Sequence, residues 1–221
     1  MPNIHRILDA NLNRAREAVR VLEDAGRFLL DDRDVVSACK QMRQTLKHLA
    51  DEVGRGLLLA ARDTTADVGT SVTCDVEQSR SSVAEVATAA AKRLTEALRT
   101  LEEYAKIEAP AHAAELEQTR YRAYTLEQSL LERLRAAATL EGRKLYLLLS
   151  RHLTAGRDML DVARSAIAGG VDIVQLREKQ LSDLETFRVA TALREICNET
   201  GCVFMMNDRI DIALAAEADG V

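Results

Sequence analysis

Basic residues are not in excess: 30 Lys and Arg stand against 35 Asp and Glu, for a net charge of −5. That excludes a large nucleic-acid surface, which an excess of cations drives. Small anionic ligands remain open, since they need only a few local cations. Long apolar runs are missing too. Nowhere do enough apolar residues run together to span a bilayer, and the opening MPNIHRILDANLNRAR has no apolar stretch for a signal-peptide core. The expectation is a cytoplasmic protein with neither a nucleic-acid nor a membrane partner. Cysteine is scarce: Cys39, Cys74, Cys197 and Cys202 form no C-x-x-C pair and have no His at metal-ligand spacing. They read as reduced packing residues. The four histidines, His5, His48, His112 and His152, are scattered and carry no assigned chemistry.

What is present is an ordinary globular composition, 47% hydrophobic and 29% charged, in a chain long enough for two modest domains. From Ile4 to about Leu30, apolar or small residues recur at Leu8, Leu12, Ala15, Val19, Leu22, Gly26 and Leu29, the steps of one helical stripe. A second stripe runs from Val35 to Val53, with Asp31-Asp32 as a natural helix start. Residues 62–80 break the period around Gly69 and read as a long loop with a short extended piece at Ser71 to Cys74. Two further helices, about Ser81 to Ile107 and Ala111 to Leu134, flank Pro110. These four helices make a bundle over residues 1–139.

An internal repeat lies in that bundle. NRAREAVRVLEDAGRF (Asn13–Phe28) aligns with KRLTEALRTLEEYAKI (Lys92–Ile107), matching Arg14 with Arg93, Glu17 with Glu96, Arg20 with Arg99 and Glu23 with Glu102. A pseudo-twofold bundle is the economical reading. The polar set Asn13, Glu17, Arg20 and Asp24 falls at steps of four, three and four, and either lines a site or forms a ladder of helix ion pairs.

After Gly142 the period changes. Lys144–Leu149, Val171–Leu176 and Cys202–Met206 are strand-length apolar runs, and Asp219–Val221 starts a fourth. Helical stripes over Asp158–Ala168, Ser182–Thr200 and Ile210–Ala216 alternate with them, which means parallel strands with right-handed crossovers over residues 140–221. Running off the second strand, Gln175, Arg177 and Lys179 alternate to one side, with Leu176 and Glu178 on the other. An Arg fork beside a Lys charge suits a phosphate or pyrophosphate, at the sheet edge where barrel enzymes keep their sites. At the end of the third strand, Asn207 can hydrogen-bond a substrate edge and Asp208 offers Mg²⁺ a hard oxygen.

GGVDIVQLREK followed by MNDRIDIALAAEADGV resembles the bacterial thiamine-phosphate synthase family over about residues 143 to 221. The resemblance implies the first half of a (β/α)₈ TIM-type barrel. It also implies an Mg²⁺-dependent condensation of hydroxymethylpyrimidine pyrophosphate with thiazole phosphate. Gln175, Arg177, Glu178, Lys179 and Asn207 would bind substrate, Arg177 and Lys179 would act catalytically, and Asp208 would be one metal ligand. The first strand, LYLLLSRHL, departs from the family where an Asp is usual. The chain ends within the fourth strand and reads as an inactive fragment, with the second metal carboxylate and the thiazole-phosphate loops expected beyond Val221.

RILDANLNRAREAVRVLEDAGRF, ARDTTADVGT and KRLTEALRTLEEY resemble the helical extension fused ahead of this synthase in some bacteria, over roughly residues 3 to 135. That resemblance implies hydroxymethylpyrimidine-phosphate kinase activity, although no nucleotide motif supports it independently, and Ala90 stands where Asn11 would lead one to expect Asn. The fold class is thus multidomain, α and α/β, and the partners are small-molecule substrates, with a homo-oligomer left open. Alternatives are a thiazole tautomerase, against which Gln175 and Lys179 argue, and a non-catalytic helical binding or scaffold module.

Overall fold

A computed structural model describes residues 4–65, 67 and 79–221. Gly69, the extended piece expected at Ser71 to Cys74, and Cys74 itself lie outside the described residues. The chain divides into two compact units, Met1–Ala137 and Ala138–Val221.

The first unit is helical: α1 (Ile4–Phe28), α2 (Arg33–Val53), α3 (Arg55–Ala61), α4 (Val83–Glu108) and α5 (Ala113–Leu140). Helix α1 follows its stripe, for Leu8, Leu12, Ala15, Val19 and Leu22 are all buried. Helix α2 starts where it does because the Asp32 carboxylate accepts from the free N–H groups of Asp34 and Val35. Gly26 lets α1 and α2 approach closely, since a Cβ there would lie 2.4 Å from Val35 Cγ1. The sequence reading is corrected in two places. Helix α3 was not expected, and α5 runs on through the Ala-rich segment to Leu140. Alanine's high helix propensity carries α5 past its last buried apolar residue, Leu134.

Helix α1 packs chiefly on α4 and α2. The positions aligned by sequence, such as Ala15 with Leu94, Val19 with Leu98 and Leu22 with Leu101, are buried in both copies. Glu23 and Glu102 are buried as well, and each accepts an arginine from the following long helix: Arg43 at 2.7 Å and Arg120 at 2.9 Å. Those two pairs fix a register between α2 and α5. In it, Cys39 matches Leu116, Met42 matches Thr119, Leu46 matches Ala123 and Leu49 matches Leu126, all of them buried. The unit is therefore two similar helical hairpins sharing one core.

In the second unit β1 (Tyr146–Leu149), β2 (Ile173–Leu176) and β3 (Val203–Met206) form a parallel sheet in the order β1-β2-β3, with α6 (Met159–Ala168), α7 (Asp183–Thr200) and α8 (Ile210–Ala215) between and after them. Leu148 is in register with Gln175, and Gln175 with Met205. Asp172 pins the β1–β2 register by accepting from the N–H groups of Lys144 and Leu145. The helices bury one face of the sheet through Leu149, Val174, Leu176, Phe204 and Met206. On the opposite face Tyr146 and Leu148 stay exposed. The expected fourth strand is corrected to an isolated bridge between Met205 and Gly220. Only two backbone hydrogen bonds, Asp219 N to Phe204 O and Met206 N to Gly220 O, join that segment to β3, which is short of a ladder.

Candidate functional site at the strand ends

The backbone ladder runs one step past the strands. Arg177 N donates to Leu149 O at 2.9 Å and Asn207 N donates to Leu176 O at 3.1 Å. Arg177 and Asn207 thus follow the register pair Leu176–Met206 and lie side by side at the C-terminal edge of the sheet. Both keep the alternation of Gln175 and Met205, the residues two positions earlier. Gln175 and Asn207 are half-buried; Arg177 and Lys179 are exposed, and neither makes an ion pair among the described residues. An amide, a second amide and two unneutralised cations therefore share one edge.

Glu178 does something else. Its Oε2 accepts from Arg151 N at 2.8 Å, and its Oε1 accepts from Lys179 N at 2.9 Å and Gln180 N at 3.2 Å. Burial alone would raise its pKa, but these three N–H groups outweigh it and hold the carboxyl below the usual range. The carboxylate ties the loop after β1 to the loop after β2 and so sets the backbone that carries Lys179. Its partner Arg151 lies 27 residues earlier, which no local pattern could reveal.

Asp208 has φ +61°, in the left-handed region, and Arg209 N closes a tight turn onto Asn207 O at 2.7 Å. Asp is among the residues that tolerate this conformation. The Asn207 side-chain amide donates to the Asp208 carboxylate at 2.6 Å. The next residue, Arg209, is neutralised by Asp183 and Asp211 and is not free for a ligand. Its hydrogen bonds bring the Asp211 carboxyl down to about 2. Among the described residues no three His, Cys, Asp or Glu side chains gather as a closed metal site. Mg²⁺ commonly takes one or two carboxylates together with phosphate oxygens. Asp208, exposed at the edge, fits one such ligand position.

At the first strand's end, where the sequence departs from the resembled family, Ser150 is buried and shares a 2.9 Å hydrogen bond with His152 Nδ1. A cavity of about 680 Å³ opens between the loop after β1 and the start of α7, lined by Arg151, Arg157, Glu185 and Arg188 among others. None of the six residues picked out from sequence lines it. The described cysteines are buried packing residues; burial pushes the Cys39 and Cys197 thiols up to about 12. No helix among the described residues is long and apolar enough to cross a membrane.

The class defined by this architecture is a duplicated helical bundle joined to a parallel α/β unit with cationic, amide-bearing strand ends. Residues 6–129 match the model of the ThiD2 family, and the chain belongs to that family. Residues 145–221 match the model described as thiamine monophosphate synthase. Among curated relatives, the thiamine-phosphate synthase of Synechocystis sp. is 43% identical over 220 residues, covering 99% of this chain and 61% of the relative. Those of Nostoc sp. and Gloeobacter violaceus are 39% and 42% identical over 218 and 221 residues, covering 99% and 98% of this chain and 60% and 61% of the relatives. The chain thus spans about three-fifths of the length of the curated relatives it matches. No solved structure matches it.

Proposed function

We propose that the protein takes part in thiamine biosynthesis as a thiamine-phosphate synthase, with the α/β unit contributing the pyrophosphate side of the site in a (β/α)₈ barrel. The observation that carries this reading is the placement of Arg177 beside Asn207 at the strand ends, with Gln175 one turn of the pleat behind. Small-molecule substrates follow from it: hydroxymethylpyrimidine pyrophosphate at this edge and thiazole phosphate as acceptor.

In this reading Gln175 and Asn207 orient the pyrimidine and its pyrophosphate through their amides. Arg177 and Lys179 face the pyrophosphate and stabilise the charge that develops on it as the carbon–oxygen bond to the pyrimidine methylene breaks. The methylene cation left behind is captured by the thiazole nitrogen, which supplies the electron pair of the new carbon–nitrogen bond. Asp208 would hold Mg²⁺ against the phosphate oxygens, and the ion would supply further charge neutralisation there. Glu178 stays a positioning residue, holding the loop that presents Lys179. No nucleophilic side chain is required in this reading.

The test is formation of thiamine phosphate from the two substrates with Mg²⁺, using a protein with this sequence in a complete barrel. Product formation that depends on Arg177 and Lys179 supports the reading. A protein that turns over a thiazole carboxylate isomerisation instead would favour the tautomerase alternative.

A further inference from the structure

The cavity of about 680 Å³ between the loop after β1 and the start of α7 contributes nothing to the condensation proposed above. Three arginines line it, Arg151, Arg157 and Arg188, and none has a carboxylate partner among the described residues. Two carboxylates share the lining, and both are spent on helix starts. Asp158 accepts from Leu160 N and Asp161 N at the head of α6, and Glu185 from Ser182 N and the Ser182 hydroxyl at the head of α7. The partial positive charge of a helix start offsets a carboxylate held there. The arginines are left over.

Solvated arginines on a surface loop are the ordinary explanation of such a group, and the way this loop is tied argues against it. Thr154 is buried, and its hydroxyl is shared between the carbonyls of Arg151 at 2.9 Å and Arg157 at 2.7 Å. The Thr154 carbonyl accepts in turn from Arg157 N at 3.2 Å and Arg157 Nε at 3.0 Å, which fixes that guanidinium and leaves its two Nη groups for a ligand. Arg151 is held from the other side, its N–H on Glu178. The turn between the two arginines keeps Ala155 at φ +54°, a left-handed conformation unfavourable for a residue with a Cβ. Strain of this kind gathers at ligand clamps. The cavity also lies across the sheet from the strand-end residues. Leu149 and Leu176 face the layer of α6 and α7, whereas Leu148 and Gln175 share the opposite face and Arg177 keeps the alternation of Gln175. Met159, Leu160 and Val189 bring α6 and α7 into the lining.

We propose that this cavity binds a small phosphate monoester with an apolar body. Its volume lies within the range of small-molecule sites, on the order of 300–1,000 Å³. A phosphate monoester brings about two negative charges and three acceptor oxygens, one for each guanidinium fork. A carboxylate brings one charge and two oxygens. Met159, Leu160, Leu181 and Val189 form the apolar side that receives the rest of the molecule. None of the residues assigned to the condensation lines the cavity, so the site does not rest on the synthase reading.

To keep the two sites apart, the full 221-residue chain carrying Arg177→Ala and Lys179→Ala is labelled with nitrogen-15 and titrated with phenyl phosphate. The Gly156 amide resonance reports on the cavity, which that residue lines. A saturable shift is expected, at lower affinity as salt is raised. Inorganic phosphate lacks the apolar body and benzoate the second charge, and each should bind at least about tenfold more weakly. Adding Arg157→Ala and Arg188→Ala should weaken phenyl phosphate by at least about tenfold, as loss of two charge-assisted contacts implies. Because Arg157 also ties the loop, Arg188→Ala is read alone. Arg188 is exposed and unpaired among the described residues, and its loss should still cost at least about threefold with an unchanged thermal melt. Arg143→Ala with Lys144→Ala removes the same charge at the opposite end of β1 and should leave affinity within about twofold. No saturable shift at Gly156, equal loss in the two double variants, or equal binding of inorganic phosphate or benzoate would overturn the proposal.

Discussion

Glu23 and Glu102 hold equivalent places in the two hairpins, but their arginines are not equally buried. The Arg120 side chain is 11% exposed and that of Arg43 is 35% exposed. Removing Glu102 would strand a buried guanidinium, so Glu102→Ala should cost about 3–5 kcal/mol. Glu23→Ala should cost less, because water reaches Arg43. Urea denaturation of both variants checks the order, and equal midpoints would contradict it. Arg177 and Lys179 have no such internal partner, so Arg177→Ala or Lys179→Ala should leave stability nearly unchanged. In a protein with a complete barrel, each should lower the synthase rate on the order of 10²-fold. Their position at the strand end was legible in the sequence because alternation along a strand places Gln175 and Arg177 together. The part played by Glu178 was not, since it depends on a backbone N–H contributed by a distant loop.

At the scale of elements, the striped helices were read well, short α6 and α8 included, and α3 alone among the described helices longer than one turn was missed. Helix α3 has seven residues, RGLLLAA, of which only Leu58 is buried, too few to show a period. The crossing of α1 and α2 turns on Gly26. Alanine there would favour the helix by about 0.5–1 kcal/mol, but its Cβ would collide with Val35, and overpacking costs about 1–3 kcal/mol. Gly26→Ala should therefore destabilise the bundle, and Val35→Ala in the same chain should recover part of the loss. A stabilised single variant would mean the helices part freely. In the α/β unit, the N–H groups of Lys144 and Leu145 hold the Asp172 carboxyl below its usual range. A depressed carboxyl contributes stability above the unfolded pKa of about 3.9 and loses it as pH falls through the folded value. Asp172→Asn should flatten that acid-side loss, measured as the denaturation midpoint between about pH 5 and 2.

For the whole molecule, the two units have separate cores, and the first matches a family model over nearly its full length. Residues 1–137 expressed alone should melt cooperatively with helical circular dichroism. A gradual melt would mean that the bundle needs the α/β unit. The second unit matches the model described as thiamine monophosphate synthase, and its sheet edge holds Arg177 and Asn207 side by side. The claim that this edge receives a pyrophosphate is tested most directly by titrating the 221-residue chain with hydroxymethylpyrimidine pyrophosphate and Mg²⁺. Saturable binding that requires Mg²⁺ and falls at least about tenfold on Arg177→Ala with Lys179→Ala is the predicted result. Binding indifferent to those two substitutions, or no binding at all, would contradict it.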